Sequence, residues 1–399
     1  MKTLHLCNRV PFPPHDGGAI LIYDVINNLH AKGIEVTVLA INTPKHFQPD
    51  YVLQDRARLI TVFVNTNLSV VKAFFNLFTS IPYIFERFVS PAYTTRLIHL
   101  LQTETFDVIQ VEGSQMAWYV PIIRQYSKAP VVLRAHNVEY TIWQRLARHE
   151  KNFLKKIYLR YTAREVRTFE QVYFNQFNVI AAITPDDKKR IQELGIATRV
   201  EVIPAGIELS RLSEIKATPS QPQTLFIIGS LNWLPNQEGI NWFLQNVWPY
   251  ISQKHPEVEL HIAGSSPPES LLNLKIPRVT VHGFVPDAAA FMQQYELMLV
   301  PLLSGGGMRV KIVEGMGLGK CILTTPVGAE GIQVTPGKNI LMAETATEWQ
   351  KMLHQYLTGK LPVLQIAHHA ASLIQEEYDN KLVIEKYMTL YSTIKSTII

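Results

Sequence analysis

The run "LMLVPLLSGGGMRVKIVEGMGLGKCILTTP", residues 297–326, decides the fold. It opens on an apolar stretch, passes three glycines, continues through "RVKIVEGMGLG" with helical character, and returns to the apolar stretch "CILTTP". Two apolar runs joined by a helix-length segment read as neighbouring strands with a crossover helix.

The same alternation fills both halves of the chain. Strand-like runs stand at "TLHLCNR", "EVTVLAI", "LITVFV", "DVIQV", "PVVLRAH" and "NVIAAIT", then at "TLFIIGS", "VELHIAG", "VTVHGF", "LMLVPLL", "CILTTP" and "NILMAE". Many are apolar throughout rather than alternately, which indicates parallel sheets covered on both faces. Between the halves, "AGIELSRLSEIKATPSQPQ" (205–223) is polar with two prolines and three serines, and reads as a linker. A chain of 399 residues also exceeds one ordinary core. The expected fold is α/β, with two Rossmann-like domains, 1–205 and 206–376, and ligands at the carboxyl ends of their strands in the cleft between them. The tail has no strand after it. Tyr378, Leu382, Ile384, Tyr387 and Leu390 suggest an apolar face on a last helix, about 377–399, that crosses back to the first domain.

Composition narrows the function classes. Hydrophobic residues at 47% against 18% charged supply ample core and argue against disorder. The two cysteines, Cys7 and Cys321, sit in strand-like runs and read as buried thiols, with no Cys/His cluster for a structural metal. The first residues lack the apolar core of a signal peptide, and no apolar stretch reaches the ~18 residues needed to span a bilayer. A cytoplasmic protein is expected. The net charge of +5 suits nucleic acid, a membrane surface or an anionic ligand equally.

The glycines supply sharper chemistry. A glycine turn after a strand lets backbone N–H groups approach a ligand closely. The helix that follows offers uncapped N–H groups and the positive end of its dipole, both suited to phosphate. Arg309 and Lys311 add charge there, and Glu314 one turn later can accept hydrogen bonds from a ribose diol. Together these describe a nucleoside diphosphate. Read alone, the same residues also describe a loop, a helix start and an i,i+3 surface pair.

The whole chain resembles the retaining glycosyltransferases of family 4, with the GT-B fold of two facing Rossmann-like domains. The elements that carry the resemblance, in order, are "GGAILIYDVINNLHAKGIEVTVL", "LRAHNVEYTIW", "AAITPDDKKRI", "VIPAGIE", "IIGSLNWLPNQEGINWFL", "LHIAG", "VHGFVPD" and the glycine run. The family's signature is two glutamates separated by seven residues. Glu314 matches the second, which the resemblance assigns to the donor ribose and the catalytic set; Gly306 stands where the first would be. The family's Arg and Lys after the first strand of the second domain are replaced by Ser230, Leu231 and Asn232. The chain is thus similar to a subgroup with GGGxRxKxxE, in which Arg309 and Lys311 take over the phosphate charge. The implied donor site comprises Gly17, Gly18, Ser230, Asn232, Gly305, Gly306, Gly307, Met308, Arg309, Lys311 and Glu314. His136, ending "VVLRAH", aligns with the catalytic-site histidine beside the donor sugar. Glu112 and Asn137 fall to the acceptor side, although Glu112 equally suits a helix cap; Arg134 and Glu139 stand behind them.

The implied activity moves a sugar from a nucleoside-diphosphate sugar to a hydroxyl acceptor, a glycan or lipid-linked one, in polysaccharide or glycolipid assembly. The leaving phosphate would assist acceptor deprotonation on the face it departs from. No Asp-x-Asp element of metal-dependent sugar transferases occurs, so no metal or other cofactor is expected and the leaving charge falls to Arg309, Lys311 and the helix end. A GT-B epimerase would need acid and base carboxylates around the sugar. A non-catalytic nucleotide-sugar binder would fit the missing glutamate. Nucleic acid is not an expected partner, since the basic residues are scattered and no recognised module is present. Two segments, 70–102 and 151–167, mix aromatics with basic residues and suggest an anionic membrane surface at the inner face of the cell membrane as a further partner; buried helices with solvated basic faces are the competing reading.

Overall fold

The structure, a computed structural model, describes residues 1–14, 17–49, 52–53, 55–67, 69, 76, 81–213 and 221–396. The chain divides into two compact units: residues 1–205 with 381–399, and residues 206–380.

The first unit is built on seven parallel strands: β1 (Lys2–Cys7), β2 (Glu35–Asn42), β3 (Arg58–Phe63), β4 (Val108–Glu112), β5 (Val131–Ala135), β6 (Val179–Ala182) and β7 (Arg199–Val202). Their order in the sheet is β3-β2-β1-β4-β5-β6-β7. Every residue of β4, β5 and β6 is buried, as apolar-throughout strands require when helices cover both faces. One layer packs the helix Pro91–Thr103 through Tyr93, Leu97 and Leu100, together with Val166 and Phe169 of the helix Phe153–Phe174. The other packs Ile22, Val25, Ile26 and Leu29 of the helix Gly17–Ala31 with the last helix, Asn380–Ser396.

That last helix does return to the first unit, and Ile384, Tyr387 and Leu390 of the expected face pack there. Val383, Ile384, Tyr387, Leu390, Tyr391 and Ile394 are buried, whereas Leu382 is exposed. Tyr378 lies outside it. It caps the helix Val363–Glu377 in the second unit, where its hydroxyl accepts from Gln333 N at 3.0 Å.

The second unit carries six parallel strands: β8 (Gln221–Ile228), β9 (Glu259–Ala263), β10 (Val279–Gly283), β11 (Tyr295–Val300), β12 (Cys321–Thr324) and β13 (Leu341–Met342). The order β10-β9-β8-β11-β12-β13 is that of a Rossmann fold. In both units the order reverses beside the first strand, between β1 and β4 and between β8 and β11. The loops leaving those strands flank a crevice by construction. The 205–223 stretch is shorter as a linker than its polarity suggests. A short helix occupies Leu209–Ser213, residues 214–220 lie outside the described residues, and β8 already begins at Gln221, whose N–H is held by Gln294 O at 2.9 Å.

Gly239 fixes how closely the helix Leu234–Asn246 packs. A Cβ at that position would lie 2.0 Å from the carbonyl oxygen of Pro301, the first residue after β11. Only glycine lets the helix press against that loop.

Candidate functional site

In the second unit, the crevice between β8 and β11 is lined by the loop Gly229–Trp233 and the loop Pro301–Arg309. The helix Leu234–Asn246 pins both. Asn236 donates to Ser230 O at 2.8 Å and accepts from Lys311 Nζ at 3.0 Å. Gln237 donates to Leu231 O at 2.8 Å, and Glu238 accepts from Ser304 Oγ at 2.6 Å. Ser230 is therefore tied through Asn236 to Lys311, while Asn232 stands exposed beside it.

Glycine at 305 is dictated by conformation and by space. Its φ is +113°, and a Cβ would lie 3.0 Å from both Arg309 Nη2 and the Trp233 ring. Arg309 is the residue before the helix Val310–Gly317, which begins without a side-chain cap, so its first turn keeps N–H groups for a ligand. The Arg309 side chain is only 6% exposed. Its Nη1 donates to the carbonyls of Gly306 and Gly307, the latter at 2.8 Å, and its guanidinium sits 5.5 Å from the centre of the Trp233 ring. The side chain folds onto its own loop, where two carbonyls and an aromatic face receive the charge. Met308 is partly buried, and Glu314 follows Lys311 by one turn. Burial pushes the Lys311 ammonium down to about 7, and the nearby Arg309 charge acts in the same direction.

In the first unit, β4 ends in Glu112 and β5 is followed at once by His136. Glu112 does not cap a helix. It is buried in the sheet, paired in register with Cys7 on one side and Arg134 on the other. His136 Nε2 lies 2.7 Å from Glu112 Oε2, and His5 Nδ1 lies 3.4 Å from Oε1. Gln110 donates to Oε1 at 2.6 Å and itself accepts from the Tyr391 hydroxyl. Burial by itself would raise Glu112; the hydrogen bonds from His136 and His5 and the Arg134 charge outweigh it and hold the carboxyl well below its usual range. Burial depresses His136 despite the raising effect of Glu112. A neutral imidazole facing an ionised carboxylate carries its proton on Nε2 and presents Nδ1 as an acceptor.

Arg134 donates to Leu21 O at 2.8 Å, in the helix that Gly17 and Gly18 open, and lies 5.4 Å from the Tyr387 ring centre. Asn137 and Gln115 approach Glu139 at 3.5 and 3.3 Å. Buried Glu170 caps the helix Glu139–His149 by accepting from the N–H groups of Glu139 and Tyr140 at 2.9 and 3.3 Å. Burial and then the Glu139 charge push Glu170 up to about 8.

The structure thus brings Ser230, the glycine loop, Arg309 and Lys311 together in one unit, and Glu112 and His136 in the other. Sequence reasoning missed Trp233, Asn236 and Glu238. Their one signal was an aromatic and two polar residues directly after a strand, in "LNWLPNQEG". It also missed His5, Gln110 and Tyr391, whose polarity inside apolar runs was visible. Among the described residues, no group of three or more His, Cys, Asp and Glu is placed to hold a metal ion.

Of the two aromatic and basic segments, 70–102 changes character. Residues 70–75 and 77–80 lie outside the described residues, and in the remainder Phe85, Phe88 and Tyr93 are core. The second segment keeps its aromatic and basic residues on the surface. Phe153 and Leu154 are 73% and 76% exposed, with Ile157, Tyr158 and Tyr161 exposed along the same helix among Lys155, Arg160 and Arg164. Among the described residues, no helix is long and apolar enough to cross a membrane.

Two family models account for most of the chain. A glycosyltransferase family 4 model matches residues 15–211, and a model of glycosyl transferases group 1 matches residues 222–358. The chain belongs to the glycosyltransferase family of GT-B fold that these domains define. Its whole length is similar to an uncharacterised 44.6 kDa protein in the cps region of Klebsiella pneumoniae, at 22% identity over 96% of this chain and 97% of that one. Among solved structures it is similar to a sucrose-phosphate synthase from Thermosynechococcus elongatus, with a TM-score of 0.75 at 15% identity over 100% of each chain. It is also similar to Anabaena HepE in complex with UDP-glucose, with a TM-score of 0.66 at 13% identity over 98% of this chain and 100% of that one.

Proposed function

We propose that this glycosyltransferase moves a sugar from a nucleoside-diphosphate sugar to a hydroxyl of a glycan or lipid-linked acceptor, with retention and without a divalent metal. The observation that carries the reading is the glycine loop 305–307, held between an uncapped helix start and the two cations Arg309 and Lys311 at the strand-order reversal. The N–H groups of Gly305, Gly306, Gly307 and Met308 receive the diphosphate, and the cations balance the charge that grows on it as the sugar leaves. Glu314 takes the ribose hydroxyls, with Ser230 and Asn232 alongside. Asn137 serves the acceptor side, and Glu112, buried with both oxygens bonded internally, instead sets the tautomer of His136, which serves the sugar. Gly17 and Gly18 carry the loop toward the transferred group. Anabaena HepE, solved with UDP-glucose, supports such a donor, and the Klebsiella relative's cps region supports polysaccharide assembly.

The half-basic, half-apolar start of the helix Phe153–Phe174 supports action at the inner face of the cell membrane, on anionic lipid. The test is a panel of nucleotide sugars with and without acceptor preparations, following nucleoside diphosphate release and the anomeric configuration of the product. Slow donor hydrolysis that an acceptor accelerates is the expected result. Binding without any release would favour a nucleotide-sugar binder, a reading that Gly306 in place of a glutamate keeps in view.

A further inference from the structure

Trp233 has no role in the reading above, yet its aromatic ring packs onto the glycine loop's cation. It precedes the helix Leu234–Asn246 and is 38% exposed, so filling the core does not account for it. Its ring meets two partners. One is the Arg309 guanidinium, 5.5 Å from the ring centre; the other is Gly305, where a Cβ would come within 3.0 Å of the ring. Arg309 in turn bonds the carbonyls of Gly306 and Gly307 through one nitrogen.

Peptide planarity makes this consequential. In a trans peptide the carbonyl and the N–H of the next residue point in opposite directions. With the carbonyls of Gly306 and Gly307 drawn to the guanidinium, the N–H groups of Gly307 and Met308 are directed away from it, side by side. Successive N–H groups aimed in this manner form a concavity for an anion.

We propose that Trp233 is a positioning residue for the diphosphate: it clamps Arg309 onto the loop carbonyls, and the clamped loop presents the N–H groups of Gly307 and Met308 to the ligand. This rests on the donor reading above. It makes Arg309 more than a counter-charge, because its planar guanidinium lies over the Trp233 ring while its Nη1 holds both carbonyls, and a lysine ammonium has no plane to stack there. A nucleobase stacked on Trp233 is the rival use of the same ring, and it has a different signature.

The experiment is calorimetric titration of the full chain with UDP and with uridine, beginning with wild type against a panel of nucleoside diphosphates. If another diphosphate binds where UDP does not, that diphosphate and its nucleoside replace the pair. Trp233→Ala should weaken UDP about tenfold and leave uridine within about twofold. Trp233→Phe, which keeps an aromatic face, should fall between. Arg309→Lys should be no better than Trp233→Ala, and Trp233→Ala with Arg309→Ala should bind UDP no worse than Arg309→Ala alone, since the tryptophan acts through the arginine. Parallel loss of uridine, an additive double variant, or wild-type affinity in Arg309→Lys would each overturn the proposal. If wild type binds no nucleoside diphosphate of the panel, the donor reading falls and takes this one with it. If wild type binds and Trp233→Ala binds equally well, only the role of Trp233 falls.

Discussion

Lys311 offers a prediction with a sign. Burial, reinforced by Arg309, places its ammonium at about 7 in the unliganded protein. A diphosphate arriving beside it favours the charged form, so binding above that pH must be accompanied by proton uptake. With a pKa about 7, roughly nine in ten molecules carry a neutral Lys311 at pH 8, and about half at pH 7. Titrations with UDP at pH 8 in buffers of different ionisation enthalpy should therefore show uptake of about 0.9 proton per UDP bound, and affinity should fall toward tenfold per unit as pH rises further. The nucleotide's own phosphate, with a second pKa near ~6, is fully ionised at pH 8 and adds little. Lys311→Met should abolish the uptake. Stability of the free protein moves in the opposite direction. A lysine with a folded pKa of about 7 binds fewer protons than the unfolded chain from there up to its ordinary value of 10.5. Stability from this group consequently rises with pH across that window, by at most about 1.4 kcal/mol per unit. Uptake near zero at pH 8 in wild type, or an undiminished uptake in Lys311→Met, would refute the reasoning.

Other outcomes follow from the same geometry. His136→Ala should keep the fold and nucleotide affinity while losing most transfer activity; wild-type turnover would remove it from the site. Glu314→Gln should weaken the free nucleoside as much as the diphosphate, measured by the same titrations. Gly305→Ala must accommodate both a φ of +113° and a ring 3.0 Å away, and should lower stability by about 1–3 kcal/mol in urea unfolding, more than Gly319→Ala, whose Cβ would meet nothing within 4 Å. Vesicles containing anionic lipid should float the protein at low salt, with added salt or Phe153→Ser/Leu154→Ser reducing recovery; indifference of wild type to such vesicles would separate the exposed helix from membranes.

The two sheets were legible because many of their strands are apolar throughout, and every strand of the second unit coincides with one of the strand-like runs. β7 was not. It is four residues long, with arginine and glutamate alternating with valine, an edge strand whose pattern is too short to distinguish from a loop. Glu112 and His136 were visible as polar residues at strand ends. Their pairing at 2.7 Å was not, because it depends on the sheet placing β4 beside β5. The inward turn of Arg309 depends on Trp233, the depressed Lys311 on burial and the Arg309 charge, and the partners Trp233 and Asn236 lie about 75 residues away from the two cations. No local pattern encodes that.

The Tyr391–Gln110–Glu112 chain has a consequence for how the protein is made. Gln110 bonds a hydroxyl 281 positions later in the sequence, on a helix that also buries Tyr387 and Ile394 against the first sheet. A ribosome delivers residues 206–380 as one uninterrupted segment, and these can collapse together as they emerge. The first unit must wait. Its sheet is synthesised early, but one face stays only partly covered, by the helix Gly17–Ala31, and Gln110 stays without its tyrosine until the helix Asn380–Ser396 is released. A transcript cut short before residue 381 would therefore yield a second unit with its full set of strands and a first unit lacking part of one wall, and proteolysis during synthesis should report that asymmetry as early protection of 206–380 and late protection of 1–205.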